Sequence, residues 1–274
     1  DYCLHMRDLA AKAGADEAVV GFFNVNLEFA RALAQGEVPE SLNQTVSEIR
    51  EGFNQYYIQH YLAFYDFLFV DLAGDVFYTL RKEDDLRSNL FKSETSEKLA
   101  ACLAACPDGM AFVDFHQYGP SAEPAAFIVQ PLRKNEKQIG WLVLQCSINK
   151  INMLFAWIRD LGRTGESFLV NESGYMLTES NFEGSSTILT KRLDDRNIQA
   201  KFAEKNGHRV VTDYRGFKAL TSFEVVPFMG TRWLVVAKID RDEVLTDHYL
   251  QRGWYYQNRV DDYVRTRVPA QSQA

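Results

Sequence analysis

The stretch Phe168-Leu169-Val170-Asn171-Glu172-Ser173-Gly174-Tyr175-Met176-Leu177 echoes the earlier stretch Leu68-Phe69-Val70-Asp71-Leu72-Ala73-Gly74-Asp75-Val76-Phe77. Each is an apolar run, a polar turn ending in glycine, and a second apolar run, which reads as strand, turn, strand. Gly74 and Gly174 stand where such a reversal requires positive φ. Further echoes follow in the same order. Val211-Thr212-Asp213-Tyr214 matches Phe112-Val113-Asp114-Phe115, Val226-Pro227 matches Gln130-Pro131, and Trp233-Leu234-Val235-Val236 matches Trp141-Leu142-Val143-Leu144. Collinear echoes of this kind indicate a tandem duplication. Each copy reads strand, turn, strand, helical region and three more strands. That order predicts two five-stranded antiparallel sheets flanked by helices, an α+β architecture.

Outward from the copies the period changes. Residues 1–61 read as a long helical spine, broken by Gly14 and Gly21 and punctuated by Gly36 and Pro39. Leu42, Val46, Ile49, Phe53, Tyr57 and Tyr61 step by three or four and form one stripe. The predicted division is a spine over 1–61, a first module over 62–147, a linker helix over 148–162, a second module over 163–240, and a C-terminal helix and tail over 241–274. The linker carries a stripe of Ile151, Leu154, Phe155, Ile158 and Leu161. Arg133 to Lys137 reads as a solvated hairpin tip.

Composition excludes some functions. The 274 residues carry a formal charge of −7 without a basic cluster, so no nucleic-acid partner is expected. No apolar run is long enough to span a bilayer. Residue 1 is Asp, so membrane anchors are expected beyond this stretch. Cys102 and Cys106 are four apart in a helix-like segment, poor geometry for a bridge, and the four cysteines read as buried or idle thiols. His5, His60, His116, His208 and His248 show no ligand spacing, and no nucleophile elbow or phosphate loop occurs. No catalytic residue, metal or cofactor is expected, and the adjacent acids Asp84-Asp85 and Asp194-Asp195 read as solvated or capping carboxylates.

The segment from Leu161 to Met176 resembles the pattern G-x-T-G-E-x-[YF]-L-V-x-x-x-G that opens the second module of double Cache domains, which are tandem PAS-like sensors. Tyr65-Asp66 with Val70-Asp71, Gly74-Asp75-Val76 and Tyr78 is similar to the corresponding stretch of the first module. So are Lys82-Glu83, Asp85-Leu86, Phe112 with Asp114-Phe115 and Tyr118, and Pro124 to Ile128. The likeness covers roughly residues 40 to 245. It implies the periplasmic sensor part of a bacterial inner-membrane receptor of the chemoreceptor, sensor histidine kinase or cyclase type, not an enzyme. A ligand in the membrane-distal first module would displace the helices and pass the signal to the segment after Asp240. Two copies would pair through the N-terminal helices, with the 42–61 stripe as the candidate seam. A secreted binding module without output, or a hydrolase with an unrecognised site, are the alternatives.

Within the first module the residues able to hold a small amine- or carboxylate-bearing ligand are Asp114, Tyr118, Lys82, Arg81, Tyr78, Phe112, His116 and Phe127. Arg81 and Lys82 suit a carboxylate, and Asp114 suits an amine or an internal pair with Lys82. Tyr78, Phe112, His116, Tyr118 and Phe127 suit cavity walls. The family's amino-acid-binding branch carries Arg-x-Trp just after the second strand. Here that place reads Leu80-Arg81-Lys82-Glu83-Asp84-Asp85 without a Trp, which argues against an α-amino acid. Asp213-Tyr214-Arg215-Gly216 reads as a hairpin turn.

Overall fold

The computed structural model describes residues 2–105, 109–121, 123–156, 161–193 and 195–246. The spine is three helices, α1 (Tyr2–Ala15), α2 (Glu17–Gln35) and α3 (Glu40–His60). The break between the first two falls at Asp16 rather than at a glycine. Its carboxylate accepts the Ala18 N–H at 2.9 Å and so caps α2.

The first sheet contains β1 (Phe64–Asp71), β2 (Val76–Thr79), β3 (Ala111–His116), β4 (Ala125–Lys134) and β5 (Lys137–Ser147). Their order is β2-β1-β5-β4-β3, antiparallel throughout. Between β2 and β3 a loop, a short 3-10 turn and α4 (Glu97–Ala105) cross one face. Asn135 and Glu136 have φ of 49° and 64°, the left-handed pair that a tight two-residue hairpin requires.

Helix α5 (Ile148–Ala156) leads to the second sheet, formed by β6 (Glu166–Asn171), β7 (Asn206–Thr212), β8 (Lys218–Phe228) and β9 (Thr231–Asp240), with α6 (Asp195–Glu204) before β7. Its order is β6-β9-β8-β7. Four strands form here rather than five. The expected partner of β6 is reduced to isolated bridges, Val170 with Met176 and Tyr175 with Arg192. The ladder stops because the Leu169 N–H donates to the Thr178 hydroxyl at 3.0 Å instead of a strand carbonyl. The α+β class stands.

The first sheet is covered on both faces. Phe67, Phe69, Ile128, Leu142 and Leu144 pack on the spine, where Phe22 stacks on Phe53 at 3.8 Å. A Cβ on Gly140 would lie 2.4 Å from both the Phe23 ring and the Val70 carbonyl, so α2 seats only against glycine there. On the other face Leu68, Val70, Val113, Phe127 and Val143 meet Leu90, Leu99 and Leu103. Burying each large apolar side chain contributes about 1.5–3 kcal/mol, so these two layers dominate the stability of the unit. The second sheet differs, since β7 alternates exposed and half-buried residues and only one face meets α6.

The stripe on α3 faces inward. Phe53, Tyr57 and Tyr61 are buried against the chain's own Phe22 and Phe67. The expected pairing seam is therefore consumed by intrachain packing. Cys146 is buried and Cys3 half-buried, while Cys106 lies outside the described residues. So do residues 157–160 of the linker and everything after 246. Among the described residues no helix is long and apolar enough to cross a membrane.

Candidate functional site

Strand register sorts the expected site residues onto different faces. Asp66, Gln145 and Phe127 are cross-strand partners on β1, β5 and β4, and the next row joins Ser147, Ala125 and His116. These residues lie at one end of the sheet face covered by the loop after β2 and by α4. From above, the loop lowers Asp85 and Glu83, and Tyr118 reaches Asp85 Oδ2 with its hydroxyl at 3.2 Å. Phe127 and His116 flank the Tyr118 ring at 4.8 and 6.3 Å. Of the eight expected residues, Tyr118, His116 and Phe127 are thus brought together.

The other five are not. Asp114 faces the second sheet, where its carboxylate accepts Trp233 Nε1 at 2.9 Å and the Thr231 hydroxyl at 3.5 Å. Phe112 packs beside it against Phe228 at 4.9 Å. The reason is an irregularity in β3 between Val113 and His116. Val113 belongs to the loop-side core while Phe115 belongs to the spine-side core, with Asp114 turned toward the seam. Tyr78 points to the spine, donating to Asn54 with Arg50 5.1 Å above its ring. Arg81 is exposed, its guanidinium 4.2 Å over the Tyr65 ring and its Nε bonded to the Tyr65 carbonyl at 2.8 Å. Lys82 is exposed at a φ of 58°. Asp114 has neither a free carboxylate nor a partner in Lys82.

Three acids and an amide take the place of Asp114. Asp66 and Asp85 are fully buried at 0% exposure, and Gln145 nearly so. The expectation that Asp85 is solvated is corrected, because only its neighbour Asp84 is exposed. Asp66 Oδ1 accepts the N–H groups of Phe67, Leu80 and Arg81 at 2.7, 2.9 and 3.0 Å. Glu83 accepts the Tyr65 hydroxyl at 2.6 Å. Yet Asp66 Oδ2, Glu83 Oε2, Asp85 Oδ1, Gln145 Oε1 and His116 Nε2 are buried with no partner among the described residues. His116 Nδ1 sits 2.9 Å from the Asp114 carbonyl, which can only accept, so Nδ1 carries the proton and Nε2 is an acceptor. With the three acids ionised, all five unmet atoms in this corner accept hydrogen bonds.

Electrostatics agree. Burial pushes Asp66 up to about 7 against three backbone hydrogen bonds that pull it down, and the neighbouring Asp85 adds to the rise. Burial likewise pushes Asp85 up to about 6, opposed by the Tyr118 hydroxyl and helped by Glu83. Burial lowers His116, which keeps it neutral. No ion pair reaches Asp66, Glu83 or Asp85 among the described residues. Among the described residues no group of His, Cys, Asp and Glu is arranged to hold a metal.

Sequence reasoning passed over these acids although a signal was present. Asp66 is the one charged residue inside the apolar run from Phe64 to Val70.

Residues 9–247 match the family model described as a Cache domain. No curated protein matches the sequence. Among solved structures, the chain is similar to the ligand-binding domain of the Pseudomonas aeruginosa amino acid chemoreceptor PctB in complex with L-Arg. The identity is 14%, covering 88% of this chain and 95% of that one, with a TM-score of 0.50. The extracellular domain described as that of a histidine kinase, vpHK1S-Z8, is 12% identical over 90% of each chain, with a TM-score of 0.56. An extracellular ligand binding receptor from Desulfohalobium retbaense is 11% identical over 85% of this chain and 39% of its own, with a TM-score of 0.52. At these identities the structures share the fold.

Proposed function

The chain belongs to the Cache domain family of ligand-binding sensor domains, and on that premise we propose that it senses a cationic nitrogen compound outside the cytoplasm for a bacterial membrane receptor. The observation that carries this reading is the set of five unmet acceptors buried between the first sheet and its covering loop. An ammonium or guanidinium group supplies several donors and a positive charge at once, and it relieves the burial of Asp66 and Asp85. Tyr118 and Phe127 offer ring faces that suit a cation or its alkyl stem. The L-Arg held by PctB is a ligand with nitrogen groups of this kind.

The relay in this reading would run along hydrogen bonds between elements. The loop that carries Asp85 is stitched to the β2 edge, with Val76 N–H on the Ser88 carbonyl and Arg87 N–H on the Val76 carbonyl. Tyr78 on β2 is tied to α3 through Asn54. At the other edge, Asp114 ties β3 to Trp233 on β9. A ligand that draws the loop inward shifts the population toward a state with α3 and β9 displaced, given a few kcal/mol of differential affinity. Glu243 accepts the N–H groups of Arg163 and Thr164 at 2.8 Å, and through these bonds movement of the second sheet would reach the segment after Asp240. Two copies would pair through exposed spine residues such as Leu4, Tyr56 and Ile58 rather than the buried stripe.

A thermal-shift screen against amines, amino acids, organic acids and purines tests the reading. Nitrogen cations are expected to stabilise, by about 2.7 kcal/mol at a hundredfold excess over Kd. The shift should vanish in Asp66→Asn and Asp85→Asn. Stabilisation by organic acids lacking nitrogen, or an unchanged shift in both variants, would refute it.

A further inference from the structure

The second sheet contains its own cavity, about 280 Å³, on the inner face under α6. Its apolar walls include Phe168, Ile198 and Val236, and its polar lining includes Asn197, Lys201 and Thr221. Strand register explains the floor. Glu166, Lys238, Thr221 and Arg209 are successive cross-strand partners on β6, β9, β8 and β7, so one polar row crosses the sheet beneath the cavity.

The acids near this row are saturated. Glu166 accepts from Lys238 at 2.9 Å, Tyr214 at 2.5 Å and Ser180 at 3.1 Å. Asp213 accepts the N–H groups of Arg215 and Phe217 at 2.9 and 3.0 Å, together with Lys238 Nζ at 2.5 Å and Arg215 Nε at 2.8 Å. Lys238 is thereby neutralised in place. Lys201 is not. It is 7% exposed, lies over the Phe223 ring at 5.8 Å and makes no ion pair among the described residues. Thr221 is 3% exposed, and its hydroxyl has no partner there either. The groups left without a partner are a lysine ammonium and a hydroxyl, in contrast to the acids of the corner in the first sheet.

We propose that this cavity is a second ligand site, specific for a small organic carboxylate, with Lys201 Nζ and the Thr221 hydroxyl on the carboxylate and the tail against Phe168, Ile198 and Val236. A single lysine ammonium beside apolar walls, which burial and the nearby Arg209 disfavour and which Glu204 supports without pairing to it, suits a monoanion with a short hydrocarbon tail better than phosphate, which needs more donors and offers no apolar surface. The site is linked to the end of β9. Its wall residue Asp213 is paired to Arg215, and Arg215 is paired to Asp240, the last residue of β9. A carboxylate bound there acts on the output end directly, independently of the amine reading of the first sheet.

The test is calorimetric titration of the protein with acetate, propionate, butyrate and inorganic phosphate, on wild type, Lys201→Met and Thr221→Val. Propionate or butyrate should bind wild type, weaken about tenfold or more in Lys201→Met and several-fold in Thr221→Val. Phosphate should bind poorly, and Asp66→Asn should leave carboxylate binding unchanged. If Lys201→Met does not fold, Thr221→Val and the NMR resonance of isotopically dimethylated Lys201 serve instead, and that resonance should move on adding propionate. Equal affinity in the variants, an unmoved Lys201 resonance, or no carboxylate binding to wild type would overturn the proposal. So would tighter binding of phosphate than of propionate.

Discussion

Both sheets bury carboxylates, and they treat them in opposite ways. In the second sheet Glu166 and Asp213 are locked to Lys238 and Arg215. Burial acts to raise Asp213, but hydrogen bonds from Lys238 and Arg215 outweigh it and hold the group at about 2. In the first sheet Asp66 and Asp85 are more deeply enclosed, have no cation, and are pushed up to about 7 and about 6. A buried acid with its counter-ion built in is part of the scaffold, whereas in the function proposed above one without it waits for a partner from solution.

The largest effect is expected from breaking the built-in pair. Lys238→Met leaves Glu166 buried without its cation and Asp213 with Arg215 alone, and should cost about 3–5 kcal/mol in denaturant melts. A cost below about 1 kcal/mol would mean that the second sheet relaxes around its acids and that the contrast between the sheets is weak.

The first sheet should instead reveal itself through pH. The folded-state pKa values of Asp66 and Asp85 lie above the ordinary aspartate value of 3.8. The native state therefore holds their protons longer than the unfolded chain does. Their protonated contribution is fully present below about pH 4 and is lost as pH rises toward 6 to 7, with a slope of up to ~1.4 kcal/mol per pH unit for each group. Asp66→Asn with Asp85→Asn should flatten that slope, as read from melts across this window. Asp213 has the opposite sign, since its contribution is present above about pH 4 and lost only as pH falls toward 2.

A smaller effect belongs to the seam. Asp114→Ala strands the buried Trp233 Nε1 donor and should cost about 1–3 kcal/mol, while leaving the affinity of the first-sheet corner unaltered. A specific loss of amine affinity in this variant would return Asp114 to the site. The smallest effect is expected for the exposed pair Arg232 and Glu172, where Glu172→Gln should change stability by less than about 1 kcal/mol.

Much of the fold is legible in the residues, because turn glycines and alternating apolar runs act locally. Gly74 and Gly174 have φ of 87° and 85°, the backbone state the paired echoes require. The missing strand after Gly174 was not legible, since it depends on one hydroxyl, that of Thr178, intercepting a ladder hydrogen bond. The candidate corner was half legible. Tyr118, His116 and Phe127 lie together on the loop-side face. Asp114 did not, because a strand irregularity decides which face a residue takes and sequence alternation cannot register it. Asp85 was hidden by its likeness to Asp84, which differs only in the direction the loop turns it.

Carbon-detected NMR titration of the Asp66 and Asp85 carboxyl groups, free and with a stabilising amine from the screen, addresses the unpaired acids themselves. The expected result is that both titrate well above 3.8 in the free protein, near about 7 and about 6, and fall markedly once the amine is bound. Midpoints near 3.8 in the free protein, or elevated midpoints that the amine leaves in place, would contradict it.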